Sequence, residues 1–438
     1  MSVHCTVTRI QVLDGSSRRR LVGTNTPMIE QHTLHNGLLL ACEQRTSTPS
    51  VALSLRLPAG SAYDTDEDDG CGAILLELLS RGAGDMNSRA LCEAMDLVGM
   101  QRGGGIGARS IHLHACLTAD RLEEAIQLLA LNIMQPKLPA SDLEPARRLC
   151  MQALDRLSDE PGRECGHLLR SNWLPRPFHR SGLGSQKGLS NIDMDRLRAR
   201  WKMCFCPEGS VLAVSGGVSP GKVQALVSEA MTDWQGVTKP LTATQPNKGG
   251  LLSVERDSSQ VHVAMAWEAP LRGADSEAAR LACACLGGTT SGRLFTSIRQ
   301  QKSLCYSIGA SYHATGYAGW YQLHAGTTGE NATELISASI HEIHRASQDL
   351  RDDEIERTRR SVISAMLIGG ESTSNRAAQL SSDLMEIGTC RTLAQRVAAL
   401  EQVSCEHVRD IASQQANICP SVVTVGPMTQ HELESAAG

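Results

Sequence analysis

The sequence predicts an α+β fold of two homologous domains, each a mostly antiparallel sheet with helices packed on one face. The chain has 438 residues, which is too long for one ordinary domain. In both halves, strand-like alternation of apolar and polar residues is followed by amphipathic helical patterns. Several segments of the first half also return, in the same order, in the second half.

The repeated segments keep a near-constant spacing. HLHACLTADRLEEAI, from position 112, aligns with QLHAGTTGENATELI, from position 322. SVLAVSGG from position 210 aligns with SVVTVGPM from position 421, and paired arginines at 147 and 148 align with those at 359 and 360. Self-similarity on this scale indicates two copies of one structural unit.

Composition places the domain boundaries. We expect the first domain at residues 28–235, a linker rich in Thr, Pro, Gly and Lys at 236–250, and the second domain at 251–438. Residues 1–27 are predicted to be a flexible leader. Arg9 and the arginines at 18–20 also fit an organelle transit peptide, although a plain leader is the preferred interpretation.

Several classes of function are excluded. There is no basic stripe with interleaved aromatic residues, so nucleic acid is not an expected partner. No run of 18 apolar residues predicts a membrane span. The fifteen cysteines lie in apolar or helical stretches, which favours reduced, buried thiols and a cytoplasmic location.

A helical segment near position 75 carries the first informative motif. The strand and turn ending in AGSAYD are followed by an acidic turn and then by GAILLELL at 72–79. This order resembles the inverted-zincin peptidases, which include pitrilysin, insulin-degrading enzyme and the mitochondrial processing peptidase. Their helix carries His-x-x-Glu-His, with two zinc-binding histidines around a general-base glutamate. The resemblance implies half of a clam-shell peptidase.

The zinc ligands of that family are missing. Ile74 and Leu78 stand where the histidines are expected, and Ala153 stands at the position of the third ligand, a glutamate on a later helix. These side chains have no lone pairs to donate, so no cofactor is expected in this chain. Only Glu77 is kept. It is either a residual polar group of the cavity or an ordinary solvated or ion-paired residue, and the second interpretation is preferred.

Among the fourteen histidines, one pair has a spacing that could suit a substitute metal site. His112 and His114 alternate on a predicted strand and point to the same side. No third ligand is identifiable beside them, so a metal site there is not predicted.

The second half keeps a different family signature. GGTTSGRLFTSIRQQKSLCYSIGASY, at 287–312, resembles the family segment in which an Arg and a Tyr lie seven residues apart. In the family these residues reach the substrate from the half opposite the zinc. The resemblance assigns them here to Arg299 and Tyr306. Arg and Tyr supply the N–H and O–H donors that stabilise a tetrahedral intermediate. The alternative is a surface ion pair and an ordinary strand aromatic.

The resemblance therefore implies a metal-free subunit, inactive alone, of a heterodimeric zinc metalloendopeptidase. Its expected partners are a peptide substrate and a homologous chain that carries His-x-x-Glu-His and the zinc. Two other functions remain open. One is a structural scaffold similar to the core proteins of respiratory complex III. The other is a peptide-binding or chaperone-like module, such as a metal-free subunit in the maturation of a peptide-derived cofactor.

Overall fold

The computed structural model describes residues 28–243 and 249–437. The predicted leader at 1–27 and positions 244–248 of the predicted linker lie outside the described residues. Earlier linker positions contact the first domain, because Val237 forms a parallel bridge with Glu208 and the Thr238 hydroxyl donates to the Met203 carbonyl at 3.1 Å. Among the helices that are described, none is both long and apolar enough to cross a bilayer.

The first domain is built on a six-stranded sheet with the order β1-β2-β8-β3-β7-β6. All neighbouring strands are antiparallel except the parallel pair β2 and β8. The sheet strands are β1 Ile29–Thr33, β2 Leu39–Gln44, β3 Ser50–Leu57, β6 Gln101–Ile106, β7 Ile111–Thr118 and β8 Val211–Gly216; β4 Gly82–Ala83 and β5 Met86–Asn87 form a separate ribbon.

Helices from the same half of the chain cover one face of this sheet. Alternate residues of the strands, such as Leu53 and Leu55, are buried in a core with the apolar faces of these helices. The helices are α1 Cys71–Leu78, α2 Ser88–Leu97, α3 Leu122–Met134, α4 Leu143–Asp159, α5 Pro161–Trp173, α6 Gln186–Asn191, α7 Met194–Cys204 and α8 Pro220–Ala230; of these, α5 packs elsewhere, as described below.

The second domain repeats this arrangement with five strands in the order β11-β12-β10-β13-β9. Its single parallel pair is β9 and β13, which corresponds to β2 and β8. The elements are β9 Leu251–Glu255, β10 Val261–Glu268, β11 Ser307–Ala314, β12 Gly319–Thr327, β13 Ser421–Gly426, α9 Ser276–Gly287, a π-helical segment Phe295–Gln301, α10 Gly329–Asp349, α11 Asp352–Gly369, α12 Thr373–Ile387, α13 Leu393–Gln402, α14 Cys405–Ser413 and α15 Gln430–Ala437. The predicted α+β fold of two homologous domains is therefore confirmed.

One feature was not predicted: the domains exchange helices across their sheets. Helix α12 of the second half packs on β2, β3 and β8 of the first sheet, where Leu380 and Leu384 lie in one cluster with Ala41 and Ala213. Helix α5 of the first half packs on β10 and β13 of the second sheet. Each sheet thus carries its own helices on one face and a helix from the other half on the opposite face.

Buried polar contacts fix the first of these exchanged helices. Arg376 on α12 binds both carboxylate oxygens of Glu43 on β2, through Nε at 3.1 and 3.0 Å and Nη2 at 2.5 Å. Ser215 donates to the same carboxylate at 2.9 Å. Both charged side chains are 1% exposed. The α12 hydroxyl of Ser381 also bonds Ser54 of β3 at 2.8 Å, so α12 and the first sheet share a buried polar network.

Candidate functional site

The acidic turn before α1 sets the start of that helix. Gly70 precedes α1 with a φ of 106°, and an added Cβ would lie 2.6 Å from a methyl group of Leu189. Its N–H donates to Asp64 Oδ2 at 3.0 Å, and Asp64 Oδ1 lies 2.6 Å from Nη1 of Arg200 on α7. Asp64 and Arg200 are almost fully buried. The turn is therefore a structural anchor for α1.

The positions at which the resemblance places zinc ligands are apolar and packed. Ile74 and Leu78 are both fully buried in the core of the first domain, and α4, which carries the half-buried Ala153, packs against α1. The three positions offer no donor atom, so the residues present do not fit zinc. Elsewhere among the described residues, no group of three or more His, Cys, Asp or Glu side chains is arranged to hold a metal ion.

Glu77 is half-buried and lines an apolar cavity of about 320 Å³ between α1, α2, α3 and the sheet. Helix α1, which carries Glu77, packs against α4. Burial, and secondly the charge of Glu77, raises the pKa of the Cys150 thiol on α4 to about 12. Most of the lining is aliphatic or Met, and Arg102 and Asn132 add polar groups. The arrangement places one acid at the edge of an apolar space, where a side chain of a bound peptide can be accommodated.

His112 and His114 point to the same side, as the alternation predicts, and their rings stack with centroids 6.3 Å apart. They lie opposite Arg56 and Ser54 in the β3–β7 register, and these two residues bond Ser381 of α12. The imidazoles therefore occupy the α12 face of the sheet, opposite α1. Burial, aided by the charge of Arg56, lowers the pKa of His112. Their rings fill the space left by missing side chains at Gly105 and Gly103 of β6.

The structure brings Arg299 and Tyr306 together in one pocket of about 360 Å³. Arg299 is exposed on the π-helical segment, and its Cζ lies 4.7 Å from the ring centroid of Phe295. Tyr306, just before β11, is 62% exposed. Burial raises the pKa of the Cys305 thiol, and the positive charge of Arg299 opposes this shift. Both donors are thus available at the surface of one pocket.

Backbone bonds hold this segment in place. The Leu304 N–H donates to the Ile298 carbonyl at 3.1 Å, and the Tyr306 N–H donates to the Gly326 carbonyl of β12 at 3.1 Å. The Thr327 hydroxyl donates to the Leu304 carbonyl at 2.5 Å. These bonds tie the turn between Arg299 and Tyr306 to the sheet. The turn is consequently preorganised, which oxyanion stabilisation requires.

Sequence reasoning did not identify Arg293, which anchors the start of this segment. Arg293 is 7% exposed, and its guanidinium pairs with Asp349 and lies 2.6 Å from Glu354. Arg293 is the arginine of the SGRLF motif, but its partners Asp349 and Glu354 lie 56 and 61 residues away in the sequence. The cavity beside Glu77 and the Arg299–Tyr306 pocket belong to different domains and share no lining residue.

Comparison with known proteins places these two regions in a family context. A family model described as "Insulinase (Peptidase family M16)" matches residues 39–174. A second, described as "Peptidase M16 inactive domain", matches residues 191–362. The first match contains the degenerate helix α1, and the second contains Arg299 and Tyr306.

Two curated relatives align with nearly the whole chain. The uncharacterized zinc protease YmxG of Bacillus subtilis is 23% identical over 400 residues, which are 88% of this chain and 95% of that protein. An uncharacterized zinc protease of Mycobacterium bovis is 24% identical over 395 residues, 87% of this chain and 89% of that protein.

Two crystal structures have the same fold. A peptidase M16 inactive domain from Pseudomonas fluorescens has a TM-score of 0.84 at 17% identity and covers 92% of this chain and 98% of its own. A protease from Helicobacter pylori has a TM-score of 0.82 at 14% identity and covers 92% and 100%. With both family models matched in order along two homologous domains, the chain belongs to peptidase family M16, the insulinase and pitrilysin family.

Proposed function

We propose that this chain is the non-zinc subunit of a heterodimeric zinc peptidase and supplies Arg299 and Tyr306 to the active site of its partner. The observation that carries the proposal is a contrast between the domains. The zinc-ligand positions Ile74 and Leu78 have become buried core, while Arg299 and Tyr306 stay exposed in one pocket. A chain that served only as a scaffold would not need two exposed donors on an ordered turn.

The chemistry follows from the donor groups. During peptide hydrolysis, negative charge develops on the former carbonyl oxygen. A guanidinium N–H of Arg299 and the phenolic O–H of Tyr306 donate to that oxygen and lower the barrier. Zinc and the general base are expected in the partner, a homologous chain with His-x-x-Glu-His, because Glu77 of this chain has no metal ligands beside it. Part of the Arg299 contact also holds the peptide before reaction.

The edge strand β6 supports the peptide as the substrate class. Among the described strands, β6 pairs only with β7, so its other edge is open for an added strand. Gly103, Gly104 and Gly105 leave that strand without side chains over half its length. Residues of the same strand, including Arg102, line the apolar cavity beside Glu77. An extended peptide with an apolar side chain fits both features.

These peptide features equally favour a second candidate, a peptide-binding or scaffold protein of the same fold with no role in cleavage. In that case the edge strand and cavity bind peptide, but Arg299 and Tyr306 contribute nothing to turnover. For both candidates we propose a reducing, cytoplasmic setting, since the described cysteines are all free thiols and most are buried.

Substitution in the reconstituted pair distinguishes the two candidates. The chain is co-purified with its His-x-x-Glu-His partner, and hydrolysis of a quenched peptide is measured for Arg299→Ala, Tyr306→Phe and the double variant. Each single change is expected to lower kcat/KM about a hundredfold to a thousandfold, with assembly and zinc content unchanged. Lys302→Ala is the control, because Lys302 is in the same segment, pairs with Glu334 and does not line the pocket. Full activity in the double variant rejects the catalytic role and favours the scaffold.

A further inference from the structure

A second cavity of about 320 Å³ lies where β6 ends, and its lining is strongly basic. Three arginines and two histidines line it, together with small and aliphatic residues, and none of the described lining residues carries a carboxylate. The lining residues are Ile106, Gly107, Ala108, Leu157, Arg163, His167, Arg170, His179, Arg180, Ser181, Gly182 and Leu183. Neither Arg299 nor Tyr306 lines this cavity.

Helix α5 provides one wall. Arg163, His167 and Arg170 are spaced at i, i+4 and i+7, so they share one face of the helix. Cys165 and Leu169, on another face, are buried against the second sheet, where the Cys165 thiol donates to the Val423 carbonyl at 3.2 Å. The helix is therefore clamped, and its basic face is fixed toward the cavity.

The loop after α5 provides the other wall. Arg180 lies 2.6 Å from the exposed carboxylate of Asp66, and its carbonyl accepts from the Ser61 hydroxyl at 2.9 Å. Gly182 touches the end of β6, since a Cβ there would lie 2.4 Å from Cγ2 of Ile106. The loop is thus held against both the acidic turn and the edge strand.

Two groups of the cavity have unused donors. Within the described part of the chain, the guanidinium of Arg170 has no carboxylate or hydrogen-bond acceptor, and Nε2 of His167 is buried without a hydrogen-bond partner. Of the carboxylates in the described ranges, Arg163 pairs with the exposed Glu160 alone, a contact that contributes little. Burial, and then the charge of Arg170, lowers the pKa of His167, which favours a neutral imidazole with one N–H to donate. Both groups can therefore donate hydrogen bonds to an anion in the cavity.

We propose that this basic cavity binds a carboxylate of a peptide that lies along the edge strand β6. The inference rests on the proposed peptide-binding function and names the substrate class. The apolar cavity is lined at residues 102–104 of β6 and the basic cavity at residues 106–108. At about 3.3 Å per residue, these positions are about 13 Å apart along the strand. The selected peptides carry an apolar side chain and, about four residues away, an acidic side chain or a free C-terminal carboxylate.

Fluorescence anisotropy of three labelled peptides with the isolated full chain tests this inference at 0.15 M salt. One peptide has Leu and, four residues later, Glu with an amidated C-terminus. The second replaces Glu by Gln and keeps the amide, and the third has Gln and a free C-terminal carboxylate at that position. Each peptide with a carboxylate is expected to bind about tenfold more tightly than the neutral peptide. Whichever of the two charged peptides binds more tightly shows whether the cavity prefers a side-chain or a C-terminal carboxylate.

Arg170→Ala should remove this preference and leave binding of the neutral peptide unchanged. Arg360→Ala, at an exposed position of α11 outside the cavity, should leave all three affinities unchanged. Equal binding of the three peptides, or an unchanged preference in Arg170→Ala, overturns the basic-cavity inference while leaving the catalytic proposal in place. If none of the peptides binds, the peptide-binding role itself fails and the inference falls with it.

Discussion

Replacing Arg376 by Met should destabilise the protein more than any surface change, because it leaves a charge buried alone between the two halves. Glu43 is 1% exposed and, among residues 28–243 and 249–437, would keep only the Ser215 hydroxyl as a donor. Removing one member of a buried, hydrogen-bonded ion pair costs about 3–5 kcal/mol. The loss should appear as a lower urea midpoint, followed by both circular dichroism and tryptophan fluorescence.

A double-mutant cycle separates the buried charge from lost packing. Glu43→Gln together with Arg376→Met removes both charges and should be more stable than Arg376→Met alone, so the two single losses should not add. Arg89→Met is the control, because Arg89 and Glu93 form an exposed pair, 87% and 60% accessible, and its loss should cost less than about 1 kcal/mol. If Arg376→Met costs no more than Arg89→Met, the pair does not fasten α12 to the first sheet.

Two further perturbations test the degenerate helix and the domain boundary. The double change Ile74→His, Leu78→His should lower stability, since both sites are fully buried in apolar core. Metal analysis should find no stoichiometric zinc, and the variant should have no peptidase activity, because Ala153 still provides no third ligand. One tightly held zinc per chain would refute this prediction. Limited proteolysis should cut first within 236–250, beyond the anchored Thr238, whereas a first cut inside 51–215 would contradict the proposed boundary.

The sequence predicted the features that depend on local pattern. The alternation at β3 and β10, and the repeat that aligns β8 with β13, indicated two copies of one unit because strand periodicity is a local property. The resemblance of residues 287–312 to the family segment assigned Arg299 and Tyr306 to one site, and both line one pocket. Their catalytic role stays a prediction.

The features that sequence reasoning missed depend on contacts between distant segments. The helix exchange joins Glu43 to a residue 333 positions later, which no periodicity reveals. The basic cavity needs the loop at 179–183 to lie against the end of β6, so the spacing of Arg163, His167 and Arg170 along α5 could not reveal it. His112 and His114 share a side as predicted, but the choice of face was set by the packing of α12.

Titration of this chain into a fixed amount of its zinc-bearing partner tests the division of labour most directly. The measured quantity is the rate of hydrolysis of a quenched peptide, with zinc analysed in each component beforehand. Activity should be negligible for either chain alone and should rise to a plateau at one chain per partner. All the zinc should be found in the partner. A partner that is fully active alone, or zinc that resides in this chain, would contradict the proposed role.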